Sequence, residues 1–264
     1  MEFFLRIMTF NLRFENDQDT HQPWEKRKEL ILQIIKDRRP HILGTQEGRL
    51  RQLLYLSLKL KGYRMPMKGR TLDPLSQYPT LFISNDLQIV ECGEFWLSNS
   101  PQVHLSKDWD SAFPRMISYA FLRPPGVEKT ILVATTHLDN KAALARQMQS
   151  RIILNWVKNL DPIPMILMGD FNEGPDGDVH KLLCQEGGFL DTWILHHKEE
   201  GKDSFSYHGF TGIGGLARLD WLLVRLGSAK GLEVLEAEFI KVKEGSIMPS
   251  DHFPYHVSLK LRMG

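Results

Sequence analysis

A chain of 264 residues with 42% hydrophobic and 25% charged residues can bury a large core, which excludes a disordered or membrane-embedded protein. Its formal charge of +1 gives no global attraction to nucleic acid or to an anionic membrane, and no apolar run reaches spanning length. Cys92 and Cys184 lie far apart without metal-ligand spacing, so two free thiols in a reducing compartment are expected. The opening Met1 to Arg6 is too short and too charged for a signal peptide, and a cytoplasmic location follows as the expectation.

In chain order, Leu5 to Phe10 predicts a first strand that ends at Asn11 and gives way to a polar loop through Asp17, Asp19 and Pro23. From Trp24 to Arg38, Leu30, Ile31, Ile34 and Ile35 recur with the period of an amphipathic helix, which Pro40 stops. His41 to Gln46 predicts a second strand with Glu47 at its end, and Leu50 to Leu60 a second helix. No acidic residue stands between Glu47 and Asp73, where Arg49, Arg51, Lys59, Lys61, Arg64, Lys68 and Arg70 fall. That run reads either as the solvated face of a helix and its loop or as a phosphate-attracting patch. Short strands follow at Thr80 to Ser84, Gln88 to Leu97, Met116 to Leu122 and Thr130 to Thr136. Between them the loop Ser98 to Arg115 carries His104, Trp109 and Phe113, and its length marks it as functional.

A helix after Asn140 places Leu144, Met148, Ile152, Trp156, Val157 and Leu160 on one face. Ile163 to Leu167 reads as a doubly buried strand running into Met168-Gly169-Asp170-Phe171-Asn172, after which Glu173 to Gly177 opens a loop. Alternation points Asp170 and Asn172 the same way and Phe171 into the core. A helix near Asp178 to Gln185 and a glycine-rich loop, Gly201 to Gly215, come next; the loop carries Phe205, Tyr207, His208 and Phe210 but lacks the lysine-serine ending of a P-loop. Strands at Leu216 to Val224, Leu235 to Lys241 and Tyr255 to Leu261 complete the reading. With no repeat or linker, residues 1–264 are expected to form a single domain.

One pattern recurs: an apolar strand closes on an acid, an amide or an imidazole. It occurs at Asn11, Glu47, His137, Asp170 with Asn172, and Asp220, and in reverse at Asp251-His252 before the last strand. A strand terminus needs only a turn former, and Glu is a poor one, so Glu47 argues for chemistry. Asp170 beside Asn172 can take a proton and hold an oxyanion; the same pair also suits a capped turn.

With Thr9-Phe10-Asn11-Leu12-Arg13, Gln46-Glu47, Thr136-His137-Leu138, Gly169-Asp170-Phe171-Asn172, Leu219-Asp220-Trp221 and Ser250-Asp251-His252 in this order, the sequence resembles the endonuclease/exonuclease/phosphatase superfamily of metal-dependent phosphoesterases. It is similar in particular to a bacterial-type subgroup with a Trp-Glu-x-Arg-Lys segment, here Trp24 to Lys28. The resemblance implies a DNase I-like four-layer α/β sandwich, two mostly antiparallel sheets face to face with helices outside and an active site at one edge. It implies that Glu47 ligates Mg²⁺ or Mn²⁺, with Asn11 and Asp251 completing or steadying the shell. Asp170 would orient and deprotonate the attacking water, and Asn172 would position that water or a phosphoryl oxygen. His252, held in its tautomer by Asp220, would face the phosphate, and His137 would donate to it as charge builds. Arg13 stands where abasic-site endonucleases carry an acidic metal-site residue, which argues against that activity here.

Trp24 and Arg27 are expected to add a stacking face and a phosphate clamp, and Arg115, Trp109 and His208 to complete the substrate contacts. The expected partner is a phosphate ester, a small sugar- or lipid-linked one being favoured. The alternative is a DNA or RNA nuclease tracking its substrate along Arg49 to Arg70; a catalytically silent binding module is the third reading. No membrane-integral segment or obligate protein partner is evident in the sequence.

Overall fold

The structure is a computed structural model that describes residues 2–67, 69–160, 162–214 and 217–264. Lys68 of the basic stretch, Gly215 of the glycine-rich loop and the expected strand start Leu216 lie outside the described residues. The elements run β1 (Glu2–Asn11), α1 (Trp24–Arg38), β2 (Ile42–Gly48), α2 (Leu50–Lys59), β3 (Tyr63–Arg64), β4 (Tyr78–Ser84), β5 (Gln88–Trp96), β6 (Met116–Arg123), β7 (Ile131–His137) and α3 (Ala143–Lys158). There follow β8 (Met165–Asp170), α4 (Asp178–Lys181) with a π-helical turn over Leu182–Glu186, β9 (Leu190–Asp191), α5 (Thr192–His197), β10 (Asp220–Arg225), β11 (Ala229–Phe239) and β12 (Tyr255–Met263).

Two six-stranded sheets result, in the orders β11-β12-β1-β2-β4-β3 and β5-β6-β7-β8-β10-β9. Each holds one parallel pair, β1 with β2 and β7 with β8, and its other neighbours are antiparallel. Parallel neighbours need a crossover, and α1 and α3 supply it.

Strand alternation then sorts the side chains into layers. Leu5 and Ile7 of β1 join Ile42, Val133, Ile166, Met168, Leu222 and Val257 in the apolar layer between the sheets. Met8 and Phe10 turn outward with Leu43 against Ile31 and Ile35 of α1, and Leu132, Ala134 and Leu167 against Ile153 and Leu154 of α3. Carried one step further, the inward parity ends on Asn11 in β1, His137 in β7 and Asp170 in β8, and begins on Asp220 in β10. The site is thus the edge of the inter-sheet layer, where the same positions that pack the core elsewhere become polar.

Gly169 makes this edge possible. It sits at φ +147° opposite Thr136, and a Cβ there would lie 2.0 Å from the Thr136 carbonyl oxygen, so β7 and β8 approach closely just before Asp170 only because the residue is glycine.

The expected apolar face of α3 needs correction. On α3 the buried face is Ala145, Gln149, Ile153, Leu154 and Val157, while Leu144 is 58% exposed. The misleading position is Gln149: its Oε1 accepts from the Asp139 amide (3.0 Å) and its Nε2 donates to Ser111 Oγ (3.2 Å), so a polar residue occupies the core-facing stripe. The short β9 and α5 carry no apolar period; α5 is started by Asp191, whose Oδ1 accepts from the Trp193 amide.

Candidate active site

Asn11, at the end of β1, donates through Nδ2 to Asp170 Oδ2 (2.9 Å) and Glu47 Oε1 (3.3 Å), while its Oδ1 accepts from the Arg13 amide (3.0 Å). Glu47 has a left-handed backbone (φ 61°) at a break in the β2/β4 register between Thr45 and Gly48, which takes it out of strand alternation. Its Oε2 accepts from the Phe14 amide at 3.0 Å. Ser250 Oγ donates to the Asn11 carbonyl (2.6 Å), tying the segment before β12 to the end of β1. Asp251 Oδ2 there lies 3.5 Å from Arg13 Nη1.

Asp170 and Asp220 face each other across the β8/β10 ladder, each 1% exposed. His252 stands with them, Nδ1 2.7 Å from Asp220 Oδ2 and Nε2 3.7 Å from Asp170 Oδ2. Burial and then the Asp220 charge push the Asp170 carboxyl up to about 7. For His252 burial acts against the charge, but the Asp220 and Asp170 carboxylates outweigh it and raise the imidazole to about 10. The imidazolium is the counter-charge of the aspartate pair.

Asn172, also left-handed (φ 51°), donates its backbone amide to Asp170 Oδ1 (2.9 Å). Its Nδ2 donates to the Leu138 carbonyl (3.0 Å) and meets His137 Nε2 at 2.9 Å. A carbonyl only accepts, so the shared atom is the amide nitrogen and His137 Nε2 is the acceptor. Burial, and then the Arg115 charge, hold His137 well below its usual value, leaving a neutral ring with its hydrogen on Nδ1. Phe171 faces the other way and stacks on Trp221, centroids 4.5 Å apart.

The donor chemistry suits a hard divalent cation. Glu47 is pushed up by burial and then by the charge of Asp251; its long 3.3 Å contact from Asn11, and the 3.5 Å contact of Asp251 with Arg13, leave oxygen lone pairs available. Asp170, Asp220 and His252 also bring three ligand-type atoms within 4.8 Å of one another. There, however, His252 Nδ1 is engaged by Asp220 and the ring itself supplies positive charge.

Around this centre the expected substrate contacts divide. Arg115 is 5% exposed, with Nη2 3.4 Å from Asn140 Oδ1 and an Nε that has no hydrogen-bond partner among the described residues. Its loop is anchored by Asp139: Oδ2 accepts from Ser111 Oγ and the Ala112 amide, Oδ1 from the Lys141 and Ala142 amides. This anchoring has no local sequence signal, because Ser111 lies 28 residues from Asp139. Trp109 is half-buried at φ 56° in the same loop. His208 stacks on Phe253 (4.0 Å), its backbone amide donates to the Asp251 carbonyl (2.9 Å), and burial pushes its ring down to about 4.

Arg27 and Trp24 are not available to a substrate. Arg27 is 0% exposed, and its guanidinium donates to the carbonyls of Gln22, Leu12, Pro249 and Arg13 at 2.7–3.0 Å. Trp24 is buried in the α1 core, edge-on to Tyr55. Arg27 thus braces the site from behind by clasping the backbones that carry Arg13 and Ser250. Within the basic stretch Arg49 donates to the Glu15 carbonyl and the buried Arg70 side chain pairs with Glu94, whereas Arg51, its side chain 65% exposed, pairs with Glu15 and Glu25 at the surface, and Arg64 donates to the Leu87 carbonyl from an exposed position.

Paired carboxylates, an aspartate-bound imidazolium and an oxygen-rich cation niche at the edge of a two-sheet sandwich define an enzyme of the phosphoesterase class. The chain belongs to the Endonuclease/Exonuclease/phosphatase family, whose sequence profile matches residues 8–252. Two solved structures from Bacteroides thetaiotaomicron superpose over nearly the full length. A mannosyl-6-phosphatase is 26% identical with TM-score 0.85, covering 97% of this chain and 99% of that one. An endonuclease/exonuclease/phosphatase family protein is 28% identical with TM-score 0.82, covering 98% of both. Among curated proteins, Protein angel of Drosophila melanogaster is 25% identical over 177 residues, 64% of this chain; the match spans 49%, about half, of that relative.

Proposed function

We propose that this protein hydrolyses a small phosphate ester, sugar- or lipid-linked, with Mg²⁺ or Mn²⁺ as cofactor. The observation that carries the reading is the convergence of Asp170, Asp220 and His252 beside Glu47 and Asp251 at one sheet edge. Glu47 and Asp251 would hold the cation, and Asn11, bridging Glu47 and Asp170, would keep the two carboxylates in register. When bound, the cation supplies Lewis-acid stabilisation of charge on the phosphoryl group and the departing oxygen.

The remaining steps belong to side chains. Asp170, oriented through the Asn172 and Asn11 amides, takes the proton of the attacking water. His252, held by Asp220, presents a charged Nε2 to the phosphate. Asn172 keeps His137 in the tautomer whose Nδ1–H can be donated to a phosphoryl oxygen. Arg115 and His208 provide further contacts, and Trp109 a wall. The engagement of Arg49 and Arg70 by protein partners shortens the basic stretch left for a nucleic-acid track, and the structural neighbour named as a mannosyl-6-phosphatase favours a small ester. The free thiols fit a cytoplasmic setting, and no helix of the described residues is long and apolar enough to cross a membrane.

The test is hydrolysis of an aryl phosphomonoester, an aryl phosphodiester, hexose phosphates, plasmid DNA and single-stranded RNA by the wild type and Asp170→Asn. Chelation is expected to abolish turnover and Mg²⁺ or Mn²⁺ to restore it. Small-ester turnover lost in Asp170→Asn supports the reading; nicked plasmid or shortened RNA with inert small esters overturns it in favour of a nuclease.

A further inference from the structure

On the outer face of the sheet that holds β12, apart from the residues above, three ligand-type side chains meet. Glu236 and Glu238 stand two residues apart on β11 and share a face, and His256 of β12 is the direct ladder partner of Glu238. His256 Nδ1 lies 3.7 Å from Glu236 Oε2 and 3.9 Å from Glu238 Oε1, all three within 4.8 Å of one another. The imidazole is 2% exposed, and among the described residues neither ring nitrogen has a hydrogen-bond partner. Buried polar atoms without partners are rare, and a missing ion is one of the few physical reasons for them. Burial, outweighing the pull of Glu236, takes the ring down to about 4, so it is in the neutral form that ligates metals.

We propose that Glu236, Glu238 and His256 form a binding site for a zinc-class divalent cation, separate from the catalytic centre. One imidazole nitrogen with two carboxylate oxygens suits Zn²⁺, whereas Mg²⁺ selects oxygen ligands alone. Donor separations of 3.7 and 3.9 Å are a few tenths of an ångström wider than tetrahedral bonds of about 2.0–2.2 Å require, so small side-chain movements close them on one centre. The Glu236 side chain is 47% exposed and gives the ion a path in, while the Glu238 Oε1 that faces the ring is itself buried in a side chain 35% exposed. Ser258 Oγ, 3.1 Å from Glu236 Oε2, orients one ligand from behind. Arg38 of α1 is the internal competitor, its Nη1 2.5 Å from Glu238 Oε1. A bound ion would clip β11 to β12 next to the ladder irregularity between Val234 and Glu236.

The test is Zn²⁺ binding by equilibrium dialysis of chelator-stripped full-length protein carrying Glu47→Gln and Asp251→Asn, which removes the carboxylates assigned to the catalytic cation. One equivalent is expected, its affinity reduced about tenfold or more by His256→Gln and by Glu236→Gln, unaffected by excess Mg²⁺, and tightened by Arg38→Gln. Should His256→Gln lose its native circular dichroism, Glu236→Gln at its exposed position carries the comparison. Binding that is absent, that survives both ligand substitutions, or that Arg38→Gln leaves unchanged or weaker overturns the proposal.

Discussion

Replacing Asp220 by Asn keeps the shape of the site and removes one charge. Asp220 Oδ2 is 2.7 Å from His252 Nδ1, both groups are buried, and its charge is the largest of the effects that raise the imidazole to about 10. A charge-assisted hydrogen bond of this kind contributes about 1.5–3 kcal/mol. At about 1.4 kcal/mol per unit, His252 should fall by about 1–2 pKa units in Asp220→Asn. The wild type, with its raised folded-state value, keeps His252 charged from below the ordinary value up to the alkaline limb; the variant should lose that form at lower pH. If the charged imidazole stabilises the transition state, kcat should stay near wild type at neutral pH, where the ring remains charged, and the alkaline limb of the kcat profile should move down by about 1–2 pH units with little change in KM. The assay is the pH profile of ester hydrolysis at saturating metal, with the His252 titration followed by NMR. An alkaline limb that stays at its wild-type position, or a His252 titration that does not move down, would refute the reasoning.

Gly169→Ala should destabilise by about 3 kcal/mol or more, because its Cβ would collide with the Thr136 carbonyl at a φ that alanine disfavours; the urea midpoint measures it. Arg27→Met should cost about 3–5 kcal/mol by stranding carbonyls of the buried backbone, whereas a substrate clamp would raise KM and leave stability alone. For Asp191, burial pushes the carboxyl up, but the His180 hydrogen bond and the Arg218 charge outweigh it and hold it below the usual range. A depressed carboxylate contributes stability above its unfolded value of about 3.9 and loses it as pH falls through the folded one. The stability gap between wild type and Asp191→Asn should therefore be largest near neutrality and shrink below about pH 4; a gap constant from pH 7 to 3 would contradict the pairing.

What could be read from the chain alone was what depends on short-range regularities. The period of Leu30 to Ile35 marks α1, proline and glycine bound the strands, and a selective residue at a strand end is visible because a turn would not need it. These signals located Asn11, Glu47, His137, Asp170 and Asp220 before any distance was known, and the structure gathers them at one edge. Burial and partner choice were another matter, since they depend on residues far off in sequence. Arg27 looks like a free cation until the Leu12 and Pro249 carbonyls close on it, the latter 222 positions away. Gln149 looks solvent-facing until Ser111 comes down on it from another loop. Charge state is decided the same way: His252 is an ordinary imidazole in sequence, and becomes a cation because β8 and β10 bring two buried carboxylates to its ring. Side-chain type and spacing set which groups reach the edge of the sheets, while only the tertiary contacts decide which are desolvated, which are paired and which remain available for chemistry.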